Sequence, residues 1–227
     1  MLNIAHRGAS GHAPENTMLA FNKALEMGAN ALEFDVRICA SGEAVVIHDE
    51  TLDRTTNGTG FVFETSLTNL KHLDAGHGES IPLLAEVIRT FASKATLFIE
   101  IKDERAIDEV IALIDEQAAQ RVPYHQMPLI GFDPNWLIAA KAKQPELLIG
   151  ATPDDTQPIA NGYINWAKQQ GFSSVNPHHR WLNAEVMAEL RMHGLQTYPW
   201  TVNEPNDIAQ LKALGVDGII SDYPDRL

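Results

Sequence analysis

Ala31-Leu32-Glu33-Phe34-Asp35-Val36 and, after a polar turn, Val45-Val46-Ile47-His48-Asp49 form the stretch around which the rest of the chain is ordered. Side chains alternate along a strand, so Glu33 and Asp35 share one face while Leu32, Phe34 and Val36 share the other. The link from Val36 to Val45 is shorter than the roughly dozen residues of a parallel crossover, which makes the second strand antiparallel and folds His48 back beside Asp35. Removing a carboxylate from water costs on the order of several kcal/mol, and two neighbours repel each other. The pair therefore reads as half of a metal site with a titratable imidazole alongside. The plain alternative is an exposed edge strand carrying two solvated acids and a surface histidine.

Outward from this stretch, Leu2–Arg7 reads as a short strand ending in Gly8-Ala9-Ser10-Gly11. Asn16 or Thr17 caps the helix that follows, and Gly28 stops it. Residues 50–80, rich in Thr, Asn and Gly at their start, belong to no strand–helix unit and read as a small insertion over one end of the fold. Pro82 opens a helix running through Phe91. Strand-like runs then recur at Thr96–Lys102, Leu129–Phe132, Leu147–Ala151, Ser174–Asn176, Thr197–Val202 and Gly218–Asp222, with helix-like segments near 105–119, 134–143, 159–170, 183–193 and 205–214 between them. Together with 2–7 and 31–36 these make eight strands in repeated βα units, the pattern of an α/β TIM (β/α)8 barrel, with Val45–Asp49 as the antiparallel extra. A doubly wound open sheet competes with it. His6, Glu33, Asp35, Glu100, Lys102, Trp200 and Asp222 all lie near strand C-terminal ends, which favours the barrel, because that is where barrel sites assemble.

The 227 residues suit a single domain, 1–227, with a sizeable core. One cysteine, Cys39, excludes an internal disulfide framework and fits a reducing compartment. The N-terminus has no basic n-region or long apolar core, and no later apolar run reaches spanning length, so the expectation is a cytoplasmic protein with no membrane partner. A formal charge of −13 argues against nucleic acid or an anionic membrane surface, and leaves room for a small anionic substrate where cations are concentrated. The sequence is silent on oligomeric state.

Leu97-Phe98-Ile99-Glu100-Ile101-Lys102 repeats the first anomaly, with Glu100 and Lys102 on one face of an apolar strand. With Glu100 in the same barrel mouth as Glu33 and Asp35, three carboxylates converge into an all-oxygen site for Mg²⁺, Ca²⁺ or Mn²⁺ rather than zinc. For Glu100 and Lys102 the plain alternative is a simple ion pair. His6 and His48 titrate near neutrality, so one can take a proton while the other gives one, as ester hydrolysis needs. Arg7 and Lys102 are the cations beside this cluster, suited to phosphate oxygens or, more plainly, to neutralising neighbouring acids. There is no P-loop, dinucleotide fingerprint, G-x-S-x-G elbow or zinc spacing.

The chain resembles bacterial glycerophosphodiester phosphodiesterases along nearly its whole length. The resemblance rests on Ala5-His6-Arg7-Gly8, Ala13-Pro14-Glu15-Asn16-Thr17, Glu33-Phe34-Asp35-Val36, the run from His48 to Gly58, Glu100-Ile101-Lys102, Trp200-Thr201-Val202-Asn203 and the ending Gly215–Asp222. It implies a TIM barrel that hydrolyses glycerophosphodiesters such as glycerophosphocholine or glycerophosphoethanolamine to sn-glycerol 3-phosphate and an alcohol. It further implies one divalent cation, Mg²⁺ or Ca²⁺, on Glu33, Asp35 and Glu100, with His6 and His48 as acid and base. Arg7 and Lys102 match positions that contact the phosphate, and Trp200 one that packs near the glycerol end. Two departures, Cys39-Ala40-Ser41-Gly42 before the second histidine and Gly131 where serine is common, bear on substrate preference. Which histidine is the acid, and whether water or a glycerol hydroxyl attacks phosphorus, stay open at this level. A lysophospholipase D-like activity and a non-catalytic binder of phosphorylated metabolites are the rival readings. No membrane-docking segment favours the first, and the pair of histidines speaks against the second.

Overall fold

A computed structural model describes residues 1–154, 156, 159–160 and 162–227 of the chain. Its strands are β1 (Leu2–His6), β2 (Ala31–Ile38), β3 (Ala44–Val46), β4 (Thr96–Ile101), β5 (Leu129–Gly131), β6 (Ile149–Ala151), β7 (Ser174–Val175) and β8 (Gly218–Ser221). They form one sheet in the order β7-β6-β5-β4-β2-β1-β8, parallel throughout, with β3 antiparallel on β2. The short turn after β2 thus gives the antiparallel extra that chain length requires.

The expected strand Thr197–Val202 is an extended segment without a ladder. Proline has no N–H to donate, and Pro199 sits in the middle of the run. The segment nevertheless spans the gap between β7 and β8. Val175 N donates to Gln196 O at 3.0 Å on one side, while Ile220 N donates to Pro199 O at 3.0 Å and Val202 N to Ile220 O at 2.9 Å on the other. Single hydrogen bonds thus close the curled sheet where a ladder was expected.

Alternation along each strand separates two cores. Leu32, Phe34 and Val36 of β2 and Leu97, Ile99 and Ile101 of β4 face outward into the main hydrophobic layer. There α1 (Met18–Glu26) and α3 (Leu84–Phe91) cover them, with Phe21 edge-on to Phe34 at 5.6 Å and to Phe91 at 5.8 Å. Ile4, Ala31, Phe98, Ile130, Tyr198 and Ile220 point the other way and plug the barrel interior. His6, Glu33 and Glu100 follow two residues after Ile4, Ala31 and Phe98, so they crown that plug at the C-terminal end. The remaining helices are α2 (Leu67–Leu70), α4 (Ile107–Ala119), α5 (Pro134–Lys143), α6 (Tyr163–Gln169), α7 (Ala184–Met192) and α8 (Pro205–Leu214). The helix expected over 159–170 starts only at Tyr163, and position 161 lies outside the described residues. The insertion 50–80 gathers a small core of its own, including Leu52, Val62 and Leu70, against Val45 of β3, Ile47 just after it and Ile81. No described helix is long and apolar enough to cross a membrane.

Thr17, not Asn16, caps α1, accepting from Ala20 N at 3.2 Å. The loop before it must lie flat on the helix. At Gly8, where φ is +79°, a Cβ would come within 2.7 Å of the Ala20 backbone. Gly28 also has positive φ, +92°, but open space around it. Gly28→Ala is therefore expected to cost only the left-handed penalty of about 1–2 kcal/mol. Gly8→Ala adds a backbone collision and should cost clearly more; urea unfolding of both variants checks the order.

Candidate active site

Strand register does most of the assembly. In the β1–β2 ladder His6 pairs with Glu33, and in the β2–β4 ladder Asp35 pairs with Glu100. Three carboxylates from two adjacent strands therefore meet, one ligand oxygen from each lying within 4.8 Å of the others. They are buried at 1%, 0% and 8% exposure for Glu33, Asp35 and Glu100, which excludes the solvated edge strand.

Their surroundings compensate only part of the charge. Arg7 N donates to Glu33 Oε2 at 3.0 Å, and Asn16 Nδ2 donates to Asp35 Oδ2 at 2.9 Å. Lys102 Nζ lies 2.5 Å from Glu100 Oε1 and 3.5 Å from Asp35 Oδ1, and Arg7 Nε lies 3.3 Å from Asp35 Oδ2. Glu33 Oε1 and Asp35 Oδ1 receive no hydrogen bond from the described residues although both are buried. Burial first, and the charge of Asp35 second, push the Glu33 carboxyl up to about 8. Asp35 is also buried, but Lys102 and Arg7 outweigh that and hold it below its ordinary value. An all-oxygen set with unsatisfied oxygens and a carboxyl whose acidity is weakened by its neighbours fits a hard divalent cation, so these three residues can hold one.

The two histidines are held in the same way from different elements. His6 Nδ1 is 2.7 Å from Asp222 Oδ1, and Asp222 is fixed in turn by Ser10 Oγ at 2.9 Å and Asn203 Nδ2 at 2.6 Å. His48 Nδ1 is 2.6 Å from Asp49 Oδ1. Carboxylates at both Nδ1 atoms fix each ring and leave Nε2 for the cavity that both line. Their acidities are driven apart. Burial lowers the His6 pKa, but the Asp222 hydrogen bond and the charge of Glu33 more than reverse this, so it ends above 6.5. For His48 burial prevails over Asp35 and Asp49, helped by Arg7 and Lys102, and its pKa ends below 6.5.

A further chain of ion pairs ties these groups together. Arg7 Nη1 donates to Glu15 Oε1 at 2.9 Å. Arg54, from the insertion, donates to Glu15 through Nη1 and Nη2, both at 2.8 Å, and to Asp49 through Nε at 2.6 Å. Glu15, Asn16, Asp49 and Arg54 all lie in runs that carry the family resemblance, yet no spacing rule gave them a chemical role.

Every residue singled out from sequence, His6, Arg7, Glu33, Asp35, His48, Glu100, Lys102 and Trp200, is brought to one end of the barrel. All except Asp35, which lies beneath the surface, line one cleft. Trp200 edges onto Phe132 with ring centroids 5.3 Å apart and donates from Nε1 to Asn176 O at 2.7 Å. Lys102 also sits 5.0 Å from the Phe132 ring centroid.

Known proteins resemble the chain in sequence and in fold. The glycerophosphoryl diester phosphodiesterase family model matches residues 6–226. A glycerophosphodiester phosphodiesterase of Caldanaerobacter subterraneus subsp. tengcongensis is 37% identical over 238 residues, 100% of this chain and 96% of that protein. One from Bacillus subtilis is 32% identical over 250 residues, covering 99% and 84%. Among solved structures, an Oleispira antarctica phosphodiesterase in complex with the product sn-glycerol-3-phosphate superposes with a TM-score of 0.86 at 31% identity, over 98% of this chain and 93% of that one. A glycerophosphodiester phosphodiesterase from Agrobacterium tumefaciens superposes with a TM-score of 0.85 at 28% identity, covering 98% and 96%.

The His6–Asp222 pair sets a pH window for stability. Asp222, held down to about 2, contributes above its ordinary 3.8 and loses that contribution as pH falls toward 2. His6, raised, contributes below 6.5 and loses that contribution as pH rises through its folded value. The stability difference between the wild type and Asp222→Asn is therefore expected to be largest near pH ~5 and to shrink on both sides. Denaturant unfolding at a series of pH values checks this.

Proposed function

The chain belongs to the glycerophosphoryl diester phosphodiesterase family, and from that premise we propose that residues 1–227 form one catalytic unit that hydrolyses glycerophosphodiesters. Its substrates in this reading are deacylated phospholipids such as glycerophosphocholine and glycerophosphoethanolamine, cleaved to sn-glycerol 3-phosphate and the free alcohol. The observation that carries it is the pairing of two carboxylate-anchored imidazoles with a buried three-carboxylate cluster in one cleft. The sn-glycerol-3-phosphate bound to the Oleispira relative supports the substrate class.

In this reading Glu33, Asp35 and Glu100 hold a divalent cation, assigned as Mg²⁺ or Ca²⁺ because the donors are all oxygen. Bound there, such an ion supplies Lewis-acid stabilisation of charge on a phosphoryl oxygen. Arg7 and Lys102 bring two further positive charges to the phosphate, a planar fork and a point charge. His48, whose environment favours the neutral ring, takes the proton of the attacking oxygen at Nε2. His6, whose environment favours the charged ring, gives a proton from Nε2 to the departing alkoxide. Asp49 and Asp222 keep the Nδ1 protons in place, so each ring exchanges its proton only at the cleft. Trp200 walls the glycerol side.

Release of sn-glycerol 3-phosphate from glycerophosphocholine tests the reading. Chelation should abolish it and added Mg²⁺ or Ca²⁺ restore it, and His6→Ala or His48→Ala should lower kcat by about 10²–10⁴-fold. The assignment of roles is read from the pH profile. His48→Ala should flatten the acidic limb and His6→Ala the basic limb, and the opposite pattern would exchange the two roles.

A further inference from the structure

β2 runs on past its two carboxylates, and alternation puts Arg37 on the face that carries Glu33 and Asp35. Towards the C-terminal end of the barrel two ladders stop together just before it: Val36 is the last partner of β4, through Ile101, and of β3, through Val46. Since one residue pairs one neighbour on each edge, β3 and β4 flank β2 on opposite sides at this level. Backbone bonds carry each neighbour one step further, with Ile47 N donating to Asp35 O at 3.0 Å and Lys102 N to Val36 O at 3.1 Å. The next carbonyls, those of His48 and Lys102, have no backbone donor among the described residues. Arg37 supplies one to each. Its Nε donates to His48 O at 2.8 Å and its Nη1 to Lys102 O at 3.3 Å. One planar guanidinium thus spans the width of β2 and fastens the segment after β3 to the residue after β4.

The other arginines of this rim use their charge differently. Arg7 and Arg54 each reach a carboxylate oxygen of Glu15, at 2.9 and 2.8 Å, and Arg105 reaches Asp103 at 2.7 Å. Arg37 is half-buried and makes no ion pair among the described residues, where Glu50 and Asp103 act on it through their charge alone. A guanidinium drawn out of water without a bonded counter-ion is costly. Here it is given over to two carbonyls, and both belong to residues of the cleft.

Resting on the hydrolase reading above, we infer that Arg37 is a positioning residue whose guanidinium holds His48 and Lys102, the proton acceptor and a phosphate-binding cation, at a fixed separation across the end of β2. It acts through those two residues and not on the substrate. Asp49, bonded to His48 Nδ1, sets the rotation of the ring, whereas Arg37 sets where the backbone that carries the ring stands. A rigid fork can hold two carbonyls at once, and a lysine, with its single flexible ammonium, lacks that preorganisation. The shorter of the two bonds goes to His48, so the placement of the base depends on Arg37 more than that of Lys102 does. A displacement of about 1 Å in a reacting group can cost about 100-fold in rate.

The test follows glycerophosphocholine hydrolysis, per folded molecule, in the wild type, Arg37→Met and Arg37→Lys, and again with His48→Ala added to each. Arg37→Met keeps the length of the side chain and loses every donor, so kcat should fall by about 10–100-fold while KM rises by less than about 3-fold. Arg37→Lys keeps the charge without the fork and should recover only part of that rate. In the His48→Ala background Arg37→Met should cost about 3-fold or less, because the ring it places is gone, whereas a general weakening of the fold multiplies both backgrounds alike. Arg37→Gln runs the same cycle if Arg37→Met does not fold. An unchanged kcat, a loss confined to KM, full activity in Arg37→Lys or an equal factor in both backgrounds overturns the assignment and leaves the hydrolase reading intact. A wild type inert towards every glycerophosphodiester overturns the hydrolase reading and the assignment with it.

Discussion

Three carboxylates withdrawn from water within a few ångströms of one another dominate the energetics of this protein, and much of the remaining structure can be understood as a response to them. Hydrogen bonds from Arg7 N and Asn16 Nδ2 and the charges of Arg7 and Lys102 offset part of the cost. The remainder appears as a Glu33 carboxyl pushed up to about 8 and as oxygens without donors among the described residues. Breaking a buried charge cluster by removing one partner is far more damaging than replacing the whole of it.

That coupling shapes the backbone. Arg7 and Asn16 adopt left-handed conformations, with φ of +55° and +58°. For a bulky side chain such as arginine this costs about 1–2 kcal/mol. The two are joined by a hydrogen bond from Asn16 N to Arg7 O at 2.9 Å, and each turns a donor onto a carboxylate of the cluster. Gly8, the only residue type that fits against Ala20, makes that geometry possible. The insertion contributes the same kind of brace from the other side, through Arg54 to Glu15 and Asp49 and so to His48.

The residues legible in the sequence were those whose position contradicts their chemistry. Glu33, Asp35 and Glu100 stand out as charges in apolar strands, and strand alternation with parallel register brings them together. His6 and His48 follow from lying at strand ends beside them. Asp222 could be placed at a strand end, but its bond to His6 spans 216 positions and depends on barrel closure. Thr197–Val202 illustrates the limit on the fold side: the β pattern is present, yet Pro199 removes a donor and leaves single bonds.

The cluster in its folded geometry is expected to act as a receptor for a divalent ion. Calorimetric titration of the metal-stripped protein with Mg²⁺ and Ca²⁺ near pH 7, repeated in buffers of different ionisation enthalpy, measures this most directly. One ion bound per chain, with proton release because Glu33 is pushed up to about 8, and loss of binding in Asp35→Asn are the expected results. Absence of binding, or equal binding by Asp35→Asn, would contradict this reading.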